Sequence, residues 1–282
     1  MTDLLELWDK IKSEEYNHEE PKHGISGSVY LTEDYVFKNK DADEISKTNR
    51  VVNRLENHGV NVPSVELCSE DDSLIVFHRI NGSVLKDLND PTYLIGTYVG
   101  ETLSEIHGIE FSTFGDIQGG SSDSEIQGEF PSLEKYVEEV IRKTDDFIHV
   151  SSDFRDGFEV AKKMARDSSI DSRRSSICHY DYCAKNIIIK DEQAYAIDFE
   201  LCELGLPGAD LVHAYLQMKH SYSEEFIEGF FQGYGRTLED VSNIELALGV
   251  LWECGCGSFM ERNLEYDKRR ASVLYEFLDQ VN

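Results

Sequence analysis

Residues 177–200 read ICHYDYCAKNIIIKDEQAYAIDFE. Ile187–Ile189 and Ala194–Ile197 are short apolar runs of strand character, divided by a turn at Asp191-Glu192-Gln193. Around them stand His179, Asp181, Asn186 and Asp198. A single carboxylate near a strand end is ordinary. A set of His, Asp, Asn and Asp distributed about one hairpin points to a site.

Phosphoryl transfer needs this set of groups. A carboxylate must accept the proton of the attacking hydroxyl, and further oxygen ligands must hold magnesium against the phosphates. Asp181 suits the first task, and Asn186 and Asp198 suit the second. The loop from Asp181 to Asn186 feeds the first strand, and the second strand delivers Asp198 at its end. Folding the two strands into a hairpin therefore brings Asn186 and Asp198 together.

The flanking chain divides in two. Gly24–Leu31, GISGSVYL, reads as a glycine loop entering a strand; after the turn TED, Tyr35–Lys38, YVFK, is a second strand ending in lysine. Ala42–His58 carries apolar residues at Ile45, Val51, Val52 and Leu55, which predicts a helix stopped by Gly59. VNVPSVEL and SLIVFHRI read as two more strands before Asn81-Gly82 breaks the chain. Residues 1–80 are thus expected to form a small sheet with a helix. Residues 81–282 read as mainly helical, beginning with Pro91–His107. Residues 115–130, GDIQGGSSDSEIQGEF, read as a polar loop or linker insert. Arg173-Arg174 reads as a solvated turn, and Tyr222, Phe226 and Phe230 as core.

These residues carry a family resemblance. HYDYCAKN (179–186) resembles the H-x-D-x-x-x-x-N of the aminoglycoside phosphotransferase and choline kinase family, small-molecule kinases with a protein-kinase-like fold. IDFE (197–200) and GLPGADL (205–211) resemble the segments that follow it, while LIVFHRINGSVL resembles the lobe-connecting strand and LSEIHGI a helix end with a histidine. The resemblance implies an α+β, two-lobed, protein-kinase-like fold, a small antiparallel sheet lobe (1–80) ahead of a larger, mainly helical lobe (81–282). By the same resemblance Asp181 is the catalytic base, Asn186 and Asp198 bind magnesium, and His179 and Asp210 brace the loop. Lys38 meets the nucleotide phosphates, and Gly24, Ser26, Gly27 and Ser28 lie where a phosphate-covering loop belongs. Counting back from VNVP, the helix glutamate that partners the lysine falls near Thr48; Glu44, one turn earlier on the same face, is assigned the ion pair. ATP and magnesium are the implied cofactors. The implied acceptor is a hydroxyl of a small molecule of aminoglycoside, choline or homoserine type. The alternatives are a nucleotide-binding pseudokinase with a regulatory role and, more weakly, a metal-dependent hydrolase using His179, Asp181 and Asp198.

Composition sets outer limits. Among 282 residues there are 55 acids against 27 bases, a net charge of −28, which argues against nucleic acid or an anionic membrane as partner. No apolar run approaches the roughly 20 residues of a membrane span. The start, MTDLLELWDKIKSEE, reads as a helix and lacks the features of a signal peptide, so a cytoplasmic location is expected. Six cysteines without a CxxC pair fit reduced thiols. The acids are spread over the whole chain, in SEEYNHEE, KDADE, SEDD and SDSE, which favours a halophilic, salt-adapted surface over a local acidic groove for a cationic substrate. Repulsion reaches across the molecule when the Debye length is about 30 Å and only to near neighbours when it is about 3 Å. The melting temperature is therefore expected to rise between roughly 0.05 and 2 M potassium chloride. A neutral osmolyte at matched water activity is the control. A flat or falling curve would mean locally compensated acids.

Overall fold

The computed structural model describes residues 2–13, 15–16, 18–19, 29–119, 126–148, 154–170, 173–259 and 264–281. The first part comprises α1 (Thr2–Lys12), β1 (Val29–Leu31), β2 (Tyr35–Asn39), α2 (Ala42–Asn57), β3 (Val65–Ser69) and β4 (Leu74–His78). The strands form an antiparallel sheet in the order β1-β2-β4-β3. Alternation along β4 explains why both faces are covered. Leu74 and Val76 join Leu4, Trp8 and Ile11 of α1 in one apolar cluster, while Ile75 and Phe77 join Ile45, Val51, Val52 and Leu55 of α2 in the main core.

The chain continues through β5 (Ser83–Val84), α3 (Tyr93–His107), β6 (Glu110–Phe111), β7 (Phe114–Gly119), β8 (Ile126–Phe130), α4 (Leu133–Ile148), α5 (Arg155–Asp167) and β9 (Ser175–Cys178). It then forms β10 (Ile187–Lys190), β11 (Gln193–Ala196), β12 (Glu203–Gly205), α6 (Pro207–Lys219), α7 (Glu224–Tyr234), α8 (Asn243–Phe259) and α9 (Leu264–Val281). The expected hairpin is β10–β11, with Lys190 opposite Gln193 and a two-residue turn at Asp191 and Glu192, both at positive φ (49° and 59°). β5, in the connection from the first sheet, pairs with β10, so the hairpin is fastened to the link between the two parts.

Residues 115–119 and 126–130 are strand, not linker. β7 and β8 pair as the end of a five-stranded antiparallel sheet, β6-β9-β12-β7-β8. The glycines that suggested a loop serve the sheet instead. Gly115, at φ +89°, lies where the β7–β8 register shifts between Phe114 and Ile117. A Cβ on Gly128 would lie 2.3 Å from the Phe114 carbonyl oxygen. Phe114, Ile117 and Ile126 are buried, as a half-covered sheet requires.

The helical part has a seam without side chains. α3 and α7 run parallel, and Gly96, Gly100, Gly229 and Gly233 face the opposite backbone. A Cβ on Gly100 would sit 2.0 Å from the Phe230 carbonyl oxygen, and one on Gly233 2.0 Å from that of Thr97. Phe226 and Phe230 are fully buried beside the seam, and Tyr222 packs against the same core. From α3, the Thr102 hydroxyl donates to the Ala194 carbonyl of β11 at 2.9 Å, and the Val99 carbonyl accepts from the Tyr182 hydroxyl at 2.7 Å. Farther out, buried Glu253 of α8 accepts from buried Arg270 of α9 at 2.7 Å and from Gln217 of α6 at 3.1 Å, a network joining three helices.

Gly100→Ala tests the seam. The methyl group meets backbone, which no rotamer change relieves, so overpacking of roughly 1–3 kcal/mol outweighs the helix propensity gain of about 1 kcal/mol. Urea unfolding should show a lower midpoint. An unchanged or higher midpoint would mean that the two helices separate at little cost.

Candidate active site

β9 is buried along its whole length and feeds directly into His179. The turn that follows is held by Asp210 in the first turn of α6, a carboxylate with no exposed surface. Its Oδ2 accepts from the His179 amide at 2.6 Å and its Oδ1 from the Tyr180 amide at 3.0 Å. The His107 Nε2–H donates to Oδ2 at 3.0 Å, and the Tyr234 hydroxyl donates to His107 Nδ1 at 2.8 Å. Burial disfavours the charge of Asp210, but the hydrogen bond from His107 and the charges and amide nearby hold its pKa below the ordinary value. Tyr180 is thereby fixed at φ +52°, in the left-handed region, and the chain turns sharply into Asp181.

His179 ties this turn to the hairpin. Its Nε2–H donates to the Ile197 carbonyl at 3.0 Å, and its Nδ1 accepts from the Asp181 amide at 3.3 Å. Its ring lies 4.7 Å from that of Phe199. Both ring nitrogens are committed to backbone, which suits a brace and not proton transfer.

Asp181 is approached from its own loop. Oδ2 accepts from Asn186 Nδ2 at 2.8 Å and from Lys185 Nζ at 2.9 Å, and Oδ1 from the Cys183 thiol at 3.3 Å. Asn186 Nδ2 also donates to the Asp181 carbonyl at 2.9 Å. Both partners are acceptors, so the nitrogen of the amide is identified and its oxygen is left to face another group. The Ile197 amide donates to the Asn186 carbonyl at 3.0 Å, which fastens the approach to Asp198 against the loop. Asp198 itself is left-handed, at φ 70° and ψ 65°, beside the short turn Phe199–Leu201.

Lys38 does not pair with Glu44. Its Nζ lies 2.7 Å from Asp198 Oδ1 and 3.3 Å from Glu200 Oε1, and Lys40 Nζ holds the other oxygen of Glu200 at 3.0 Å. The reason is the placement of α2. The helix begins at Ala42, so Glu44 is in its first, exposed turn, while the position one turn on is the buried Thr48. The turn Phe199–Leu201 brings Glu200 up to the strand that carries Lys38. Burial opposes the charge of Asp198, but the neighbouring ammonium of Lys38 outweighs it and lowers the pKa. Lys40, Glu200 and Lys185 complete this group of charges. Lys40 lies just past the end of β2, two residues on from Lys38, and that spacing was the available signal for it.

Gly24, Ser26, Gly27 and Ser28 lie outside the described residues. Arg173 is more than a solvated turn, because its guanidinium donates to Ser242 at 2.8 Å and Glu245 at 3.2 Å. Cys68, Cys178, Cys183 and Cys202 are free thiols. Among the described residues no helix is long and apolar enough to cross a membrane.

A double-mutant cycle distinguishes the two partners of Lys38. Lys38→Ala and Glu200→Ala should be non-additive in urea unfolding by roughly 0.5–3 kcal/mol, whereas Lys38→Ala and Glu44→Ala should add within about 0.5 kcal/mol. The reverse pattern would restore the pairing with Glu44.

Comparison with known proteins accords with this geometry. Residues 18–244 match the model of the phosphotransferase enzyme family, APH. A search of curated proteins gave no match. Among solved structures, the aminoglycoside phosphotransferase APH(4)-Ia is similar at a TM-score of 0.69 and 14% identity, over 98% of this chain and 99% of the other. Choline kinase LicA from Streptococcus pneumoniae is similar at 0.64 and 19% identity, over 97% and 98%. The spectinomycin phosphotransferase APH(9)-Ia, solved with ADP and spectinomycin, is similar at 0.56 and 14%, over 95% and 90%. The fold is the two-lobed, protein-kinase-like one, with a small antiparallel sheet lobe and a larger, mainly helical lobe. With the family model spanning most of its length, the chain belongs to the phosphotransferase enzyme family.

Proposed function

We propose that this enzyme transfers the γ-phosphoryl group of ATP to a hydroxyl group of a small molecule. One observation carries the reading: the Asp181 loop and Asp198 are fastened to one another, and Asp198 is held by Lys38 of the small-sheet lobe. The nearness of a candidate base, candidate oxygen ligands and a candidate phosphate-binding cation supports this reading. The similar enzymes solved with nucleotide add support, one with ADP and spectinomycin and one with AMP-PNP and hygromycin B.

The residues suit the chemistry. The acceptor hydroxyl approaches Asp181, its oxygen attacks the γ-phosphorus, the bond to the ADP oxygen breaks, and the hydroxyl proton passes to the carboxylate. Asn186 through its amide oxygen and Asp198 through its carboxylate form a hard oxygen set that fits magnesium. Magnesium bound there would neutralise phosphate charge. Lys38 leaves Asp198 for the nucleotide phosphates. The work of the protein is largely positioning and charge compensation. The chain-wide acidity supports operation in a salt-rich cytoplasm.

A panel of hydroxylated acceptors, including choline, homoserine and aminoglycosides, tests the reading by ATP consumption in high potassium chloride. Asp181→Ala should lower transfer by roughly 10²- to 10⁴-fold while Mg-ATP still binds in calorimetry. Activity within about threefold of wild type would remove Asp181 from its role.

A further inference from the structure

Lys185 has no place in the family motif, where its position is simply one of the residues between the acid and the asparagine. Here its ammonium lies 2.9 Å from Asp181 Oδ2, and the side chain is only 29% exposed. That oxygen also takes the Asn186 amide at 2.8 Å, so it is fully engaged. Oδ1 has only the Cys183 thiol, a weak donor, at 3.3 Å. The proton-accepting oxygen of Asp181 is therefore Oδ1. Lys185 precedes Asn186, whose carbonyl accepts from the Ile197 amide, so the loop that carries the ammonium is fastened to the approach to Asp198. A phosphoryl group moving from a nucleotide held near Asp198 to an acceptor held on Asp181 would pass close to this ammonium.

We propose that Lys185 is a catalytic residue of the transfer, the cation that follows the negative charge from Asp181 to the moving phosphoryl group. Before transfer the ammonium balances the carboxylate. As the nucleophile's proton moves to Oδ1, the P–O bond to ADP breaks and the new P–O bond forms. Asp181 becomes neutral, and Lys185 loses its counter-ion while the phosphoryl oxygens pass beside it. The ion pair of the resting enzyme thereby becomes stabilisation available only during the reaction.

This inference rests on the proposed transfer from ATP, and the experiment keeps the two apart. The assay is hydrolysis of Mg-ATP with water as acceptor, alongside calorimetric binding of Mg-ATP, in wild type, Lys185→Met and Lys185→Arg. The methionine variant keeps the bulk and loses the charge. Its kcat should fall by roughly 10²-fold with the KM and Kd for Mg-ATP within about threefold, and arginine should recover part of kcat. Hydrolysis by the methionine variant equal to a working wild type overturns the role of Lys185 alone. Loss of Mg-ATP binding together with kcat makes Lys185 a nucleotide-binding or structural residue and overturns it as well. A wild type that neither binds nor hydrolyses Mg-ATP overturns both this inference and the transfer reading.

Discussion

The geometry of the candidate site depends on one fully buried carboxylate. Asp210 is buried and accepts two consecutive backbone amides and a histidine. A backbone forced to positive φ at Tyr180 costs on the order of 1–3 kcal/mol, and such strain persists only where the surroundings over-determine it. The amides that Asp210 holds flank the strained peptide. It also joins α6, α3 and, through Tyr234, α7, so a shift in any of these helices is felt at Asp181. This explains why GADL and HYDY occur together: each segment is incomplete without the other.

Charge is arranged differently in the cleft than over the rest of the chain. The whole protein carries −28, yet Asp181, Asp198 and Glu200 each have a lysine within hydrogen-bonding or ion-pairing distance. A nucleotide bringing several negative charges would otherwise enter a strongly repulsive field. Pairing these acids with lysines leaves this group of side chains close to neutral. An acidic exterior and a compensated cluster are compatible because the pairs are short and partly shielded, while the surface acids are open to screening ions.

How much of this could be read beforehand varies with the range of the interaction. The contact of Asp181 with Asn186 was legible because the two stand at a short fixed spacing in one loop, and the hairpin because two apolar runs flank a turn. The bond from Lys38 to Glu200 was not, since it joins residues far apart in sequence and depends on where α2 begins. Counting along a helix suggested Glu44, but only tertiary packing decides which acid reaches a strand-end lysine. The strands β7 and β8 were hidden for another reason. Gly115 and Gly128 carry the signature of a loop, while a register shift and a close backbone approach ask for the same residue.

The parallel seam of α3 and α7 has a consequence for how the site answers to temperature and pressure. Contacts between side chains can loosen by rotamer exchange, and voids between them compress. Where backbone meets backbone through Gly96, Gly100, Gly229 and Gly233, neither process is available. The hairpin carrying the approach to Asp198 hangs from this seam through Thr102, and the loop carrying Asp181 through Tyr182. Both halves of the site are therefore referenced to one nearly incompressible strut. Their separation should hold constant while the peripheral helices breathe, and the outward faces of α3 and α7 are left free to diverge without moving the chemistry.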